Sequence, residues 1–224
     1  MLPNFTSAEE NYIKNMYHLQ QANGFVTTNE LAAALKAKPA SVTDMLKKLK
    51  LKKIINYEPY KEFQLSNQGK KVALGIIRKH RLWEYFLVEK LQFGWDQVHE
   101  VAEELEHVSS KLLIEKLDVF LDHPRFDPHG NPIPDSNGKM SAQQQINLLS
   151  LEHNVSAEVT SVSNQSAELL EVLKHKNIHI GTILEVKKKF GFDNSLELKI
   201  KNQPAITISE QLARSLFVKP SKSS

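Results

Sequence analysis

Apolar positions along the first part of the chain recur at helical spacing. In "SAEENYIKNMYHLQQA" the residues Tyr12, Ile13, Met16, Tyr17 and Leu19 follow a Ser7–Glu10 capping box, which predicts an amphipathic helix. "TTNELAAAL" predicts a second, shorter helix with a Thr27–Glu30 capping box. After the tight connection "KAK" comes "PASVTDMLKKLK", in which Pro39 suits a first helical turn and Val42, Met45, Leu46 and Leu49 form the buried stripe. "IINYEPYKEFQL" then alternates as two short strands around the turn Glu58-Pro59-Tyr60-Lys61. Helix, helix, tight turn, helix and hairpin is the winged helix-turn-helix order, whose third helix enters the major groove.

Downstream, "SNQGKKVALGIIRKHRLWEYFLVEKL" predicts a long helix from a Ser66 cap, followed by a helix from near Asp96 and another in "SSKLLIEKLDVFL". Trp83 and Phe86, with the helix from Asp96, are expected to pack a core or a two-fold interface. The pattern then breaks at "DHPRFDPHGNPIPDSNGKM", whose Pro, Gly, Asp and Asn content dictates loop. Beyond Asn154, "AEVTSVS", "TILEVKKKF", "SLELKI" and "AITIS" read as short strands with one helix at "SAELLEVLKH", the signature of a small β-barrel-like domain. The expected architecture is therefore a mainly α N-terminal part followed by a small β-barrel. Its segments are 1–73 (winged helix), 74–140 (helical) and 141–224 (linker and barrel).

Composition narrows the function. The 224 residues contain no cysteine, which excludes disulfides and thiolate metal sites. No apolar run of about eighteen residues occurs, and the N-terminus lacks the blocks of a secretory signal, so a cytoplasmic protein without membrane contact is expected. The net charge is only +3, yet residues 36–71 set ten lysines against Asp44, Glu58 and Glu62, a local +7 suited to a polyanion. On the winged pattern, Lys38, Lys47, Lys48 and Lys61 are candidate phosphate contacts. Ser41, Thr43 and Asp44 are expected to face the groove, and Thr27 joins the DNA-facing set. Asp44 could accept from a cytosine amino group or pair with a neighbouring lysine.

The candidate chemistry lies in "VHEVAEELEHV". With Val98, Ala102 and Leu105 on one side, His99, Glu103, Glu106 and His107 share an arc of roughly 100° on another. Imidazoles beside carboxylates suit a first-row divalent metal, whereas the plain alternative is a solvated helix face. His80 and Glu84, four apart in "RKHRLWEYF", share a second face, and "DPHG" adds Asp127 and His129. A metalloenzyme is the competing class. "HEVAE" nearly matches the zincin H-E-x-x-H but has Glu103 for the second His, and Glu104-x-x-His107 is half of a di-iron motif without a second copy. No Ser/His/Asp arrangement or glycine-rich phosphate loop is recognisable. A winged-helix regulator sensing something other than metal is a further alternative.

Taken in order, "PASVTDMLKKL", "RKHRLWEYFL", "VHEVAEELEHV" and "HGNPIP" resemble the diphtheria toxin repressor family of metal-dependent regulators, including its manganese branch. The resemblance spans nearly the whole chain. It implies a winged helix, dimerisation helices and an SH3-like terminal domain in a non-enzymatic regulator. Such a regulator binds operator DNA as a homodimer and takes no small-molecule substrate. The implied cofactor is Mn²⁺ or Fe²⁺, two ions per subunit. The primary site implied is Glu103, Glu106 and His107 with Asn11 from the first helix. The ancillary site implied is His80, Glu84 and His99, joined by Asp127, His129 and, from the terminal domain, Glu168. Two positions depart from the family: Asn11 stands where Met or Asp is usual, and Lys14 where the manganese branch can have an acid.

Overall fold

The computed structural model describes residues 4–58, 61–108, 110–163, 166–201 and 203–221. Pro59 and Tyr60 of the expected hairpin turn lie outside the described residues. Chain contacts group into two compact units.

The first unit comprises Met1–His80, Glu103–Glu115 and Pro134–Met140. Helix α1 (Ser7–Asn23) begins at a capping box one residue earlier than expected, with Thr6 as N-cap and Glu9 reaching back to its N–H. It ends where Gly24 adopts φ +84° and its N–H reaches the Gln20 carbonyl. Helix α2 (Thr28–Ala34) is capped reciprocally by Thr27 and Glu30, and α3 (Pro39–Leu51) carries Pro39 in its first turn. Strands β1 (Ile55–Asn56) and β2 (Gln64–Leu65) pair antiparallel as the wing. One core joins Ile13 and Met16 of α1, Leu31 of α2, Val42, Leu46 and Leu49 of α3, and Ile54, Phe63 and Leu65 of the wing. The long helix α4 (Asn67–Leu91) starts against this core. A Cβ at its Gly69 would lie 2.1 Å from the Ile54 carbonyl oxygen, so only glycine allows that approach.

The second unit comprises Arg81–Ala102, Lys116–Ile133 and Ser141–Ser224. Helices α4, α5 (Val98–Leu105) and α6 (Lys111–Phe120) each contribute residues to both units. The remaining strands are β3 (Ile146–Asn147), β4 (Ser156–Val162), β5 (Ile183–Lys189), β6 (Leu196–Ile200), β7 (Ile206–Ile208) and β8 (Leu216–Pro220). They form one antiparallel sheet in the order β3-β8-β4-β5-β6-β7. The expected barrel is thus an open sheet among the described residues, because β3 and β7 remain its two edges. Helix α7 (Ala167–His175) buries Leu170 and Leu173 against Val159, Val186, Leu198 and Val218, and a short α8 (Glu210–Arg214) precedes β8.

The face expected for an interface is mostly interior. Trp83, Val98 and Ala102 are buried, and Phe86 is half-buried with its ring 6.4 Å from that of Phe120. The exposed apolar stripe lies instead on α6, where Leu112, Leu113, Val119 and Phe120 share one face.

Candidate metal centre

Two clusters of ionisable groups occupy the helical region. The first is built by α1 and the C-terminal end of α5. Lys14 is buried, with Nζ 2.8 Å from one Glu106 carboxylate oxygen, 2.9 Å from the other and 3.2 Å from Glu103 Oε1. Nδ1 of His80 lies 2.7 Å from Glu106 Oε2. Burial opposes the charge on Glu106, but His80 and Lys14 together hold its pKa below the usual carboxylate value. The expected nitrogen ligand, His107, sets Nδ1 2.7 Å from Glu10 Oε2 and Nε2 3.9 Å from Glu106 Oε1, while Lys79 donates to the other Glu10 oxygen at 3.3 Å.

This departs from the expected primary site. Among the described residues, Glu103, Glu106 and His107 do not bring their ligand atoms into one metal-sized group. The backbone carbonyl of Asn11 accepts from the Asn15 side chain at 2.9 Å. The donor set already surrounds a cation, the Lys14 ammonium, and so does not fit a divalent ion as it stands. His80, expected in the ancillary set, keeps Glu84 of the same helix within reach and also has Nδ1 against Glu106 of the primary set.

The second cluster belongs to the second unit. The ligand atoms of Glu84, Asp127 and His129 lie within 4.8 Å of one another, all three residues being buried. Nδ1 of His129 is 3.8 Å and Nδ1 of His99 3.4 Å from Glu84 Oε1. The segment after α6 turns sharply through an Asp127 side chain whose Oδ1 accepts from the N–H groups of His129 (2.8 Å) and Asn131 (2.9 Å). Asp127 Oδ2 is buried and accepts no hydrogen bond, with Arg81 Nε 3.5 Å away. The His129 Nε2–H points at the Trp95 carbonyl, 2.8 Å away, and the Trp95 ring stacks on the imidazole, so Nδ1 is aimed at Glu84.

Burial and the charge of Glu84 push the Asp127 pKa up, against the opposing pull of Arg81 and His129. Burial works to lower the His129 pKa, but Glu84 and Asp127 win and raise it. A divalent cation would relieve both carboxylates and displace the Nδ1 proton. These residues fit an oxygen- and imidazole-binding ion. Glu168 does not join them: it sits exposed in the first turn of α7.

The DNA-facing candidates lie on the first unit. Lys38 occupies the N-cap position of α3 and is exposed, as are Ser41, Lys47 and Lys48. Asp44 pairs with Lys47 at 3.1 Å on the exposed side of α3. The Thr43 hydroxyl donates to the Pro39 carbonyl, and Lys61 pairs with Glu58 at 2.6 Å. Thr27 is committed to its helix cap, donating to Glu30 Oε2 at 2.7 Å. Lys50 and Lys53, which sequence reasoning passed over, line a cleft of about 670 Å³ beside the wing together with Lys61. Sequence reasoning also missed Glu10, Arg81 and Trp95. A second S/T-x-x-E match, Thr6 to Glu9, was the available sign that Glu10 is not a cap.

Three family models match successive parts of the chain. Residues 4–63 match the model of the iron-dependent repressor N-terminal DNA-binding domain. Residues 66–135 match the iron-dependent repressor metal-binding and dimerisation domain, and residues 146–220 the FeoA domain. An uncharacterised HTH-type transcriptional regulator of Methanocaldococcus jannaschii is 37% identical over 114 residues, covering 50% of this chain and 91% of that protein. The diphtheria toxin repressor of Corynebacterium jeikeium is 26% identical over 182 residues, covering 80% of this chain and 76% of the relative. Among solved structures, a manganese-dependent transcriptional repressor in complex with manganese superposes with a TM-score of 0.87 at 25% identity, covering 95% of this chain and 100% of that one.

Proposed function

Because the chain belongs to the diphtheria toxin repressor family of metal-dependent transcriptional repressors, we propose that it binds operator DNA as a homodimer under the control of Mn²⁺ or Fe²⁺. The observation that carries the metal assignment is the buried group of Glu84, Asp127 and His129, with His99 beside it. Two carboxylates and two imidazoles form a hard-to-borderline donor set, which suits Mn²⁺ or Fe²⁺. A bound ion supplies charge that offsets the two buried carboxylates. Glu84 offers an oxygen from α4, and the Asp127 turn presents a second oxygen and Nδ1 of His129. Trp95 fixes the imidazole through its carbonyl and its ring.

DNA reading falls to α3, with Ser41 exposed for the groove and Lys38, Lys47 and Lys48 for phosphates, while the wing lysine Lys61 flanks the backbone. The exposed stripe of Leu112, Leu113, Val119 and Phe120 on α6 supplies an apolar face for a two-fold partner. No helix among the described residues is long and apolar enough to cross a membrane, in keeping with a cytoplasmic regulator.

The test is operator binding titrated with Mn²⁺, Fe²⁺ under anoxia, and Zn²⁺ at matched free concentrations. Mn²⁺ or Fe²⁺ should promote binding, and His129→Ala should raise the concentration required by roughly tenfold or more. Operator binding indifferent to every metal would refute the reading.

A further inference from the structure

We propose that the Lys14 ammonium is the resident cation of the Glu103–Glu106 cluster, occupying the place of the expected primary metal ion and holding α1 to this cluster without one. The proposal rests on the family reading for what is expected at this place, and on the geometry for what is found there. Lys14 reaches both oxygens of Glu106 and one of Glu103 within 3.2 Å. It is only 7% exposed and Glu106 is 0% exposed, so each is the other's compensation for a charge removed from water.

Of the other expected ligands, His107 gives Nδ1 to Glu10, which also receives Lys79, and its Nε2 stands 3.9 Å from Glu106 Oε1. A divalent ion entering between Glu103 and Glu106 would have to expel the ammonium or sit beside it. The first strands a buried cation on α1, and the second sets like charges together. The position explains the substitution: one turn after Glu10, residue 14 projects from the same face of α1. A lysine there delivers its charge on a flexible stem to the spot where an acid would instead have required an ion. The cluster thus ties α1 permanently, and the response to metal is left to Glu84, Asp127 and His129.

Equilibrium dialysis of metal-stripped protein against Mn²⁺, with the bound metal counted, separates the possibilities. Glu103→Gln, a change at a half-exposed side chain, should leave the number of ions bound per chain unaltered. Lys14→Glu should bind an additional ion, and its melting temperature should become more dependent on Mn²⁺ than that of the unaltered chain. Loss of an ion in Glu103→Gln would overturn the proposal, as would a folded Lys14→Glu that gains none. The Glu103→Gln comparison decides the matter even where Lys14→Glu fails to fold. An unaltered chain that binds no ion and ignores Mn²⁺ on the operator would refute the proposed metal response, yet would leave both comparisons valid for Lys14.

Discussion

Glu9 and Glu10 are neighbours with different tasks. Glu9 closes the cap of α1 through the Thr6 N–H at 2.9 Å and receives the Lys52 ammonium at 2.7 Å, whereas Glu10 faces His107. Burial works against the Glu9 charge, but Lys52 and Thr6 win and lower its pKa. A carboxylate with a lowered folded-state pKa adds stability above the unfolded value of about 4.3. That stability is lost as the pH falls through the folded value. Glu9→Gln should therefore lower the melting temperature at neutral pH and flatten its fall on acidification. Thermal melts from neutral to acid conditions check this, and parallel curves for the two proteins would refute it. At this scale the sequence was ambiguous because partners lie far along the chain. The S/T-x-x-E pattern fits both Thr6–Glu9 and Ser7–Glu10, and Lys52, which favours the first, comes from the end of α3. Helical spacing pairs His80 with Glu84 on one face of α4, as the structure does, but it gave no sign that the same imidazole also lies against Glu106.

Secondary elements were far more legible. Helices α1 to α7 and strands β4 to β7 lie where periodicity predicted them, because each buries a repeating apolar face. Strand β8 escaped notice. "LFVKP" is short and carries Lys219 and Pro220, and its partners β3 and β4 are distant in sequence. The loop was recognised by its composition, but its role depends on one residue. Gly130 has φ +81°, and a Cβ there would stand 1.9 Å from the Thr160 carbonyl oxygen of β4. The His129 carbonyl meanwhile accepts from the Val162 N–H at 3.0 Å, which anchors the turn to the sheet. Gly130→Ala should destabilise the protein by about 1–3 kcal/mol through strain and crowding. It should also weaken Mn²⁺ binding by displacing Asp127 and His129. Denaturant unfolding and dialysis measure the two effects, and unchanged metal affinity would dissociate the turn from the site.

For the whole molecule, the order of motifs disclosed the family, and the lysine excess of residues 36–71 marked the DNA-reading end. Binding to DNA should weaken steeply with salt, the logarithmic slope falling by about 0.9 for each phosphate neutralised. Lys48→Ala should reduce that slope by roughly one and weaken all sequences alike. Fluorescence anisotropy from about 50 to 200 mM salt reads both, and an unaltered slope would remove Lys48 from the phosphate contacts. What the sequence could not disclose was which cation balances Glu103 and Glu106, because that depends on how the Lys14 stem packs between α1 and the end of α5. This feature also has a genetic side. Lysine and glutamate codons differ only in their first base, so a single transition at codon 14 would exchange a built-in charge for one drawn from the cell's metal pool. A lineage could gain or lose that nutritional dependence by point mutation, with the rest of the repressor unchanged.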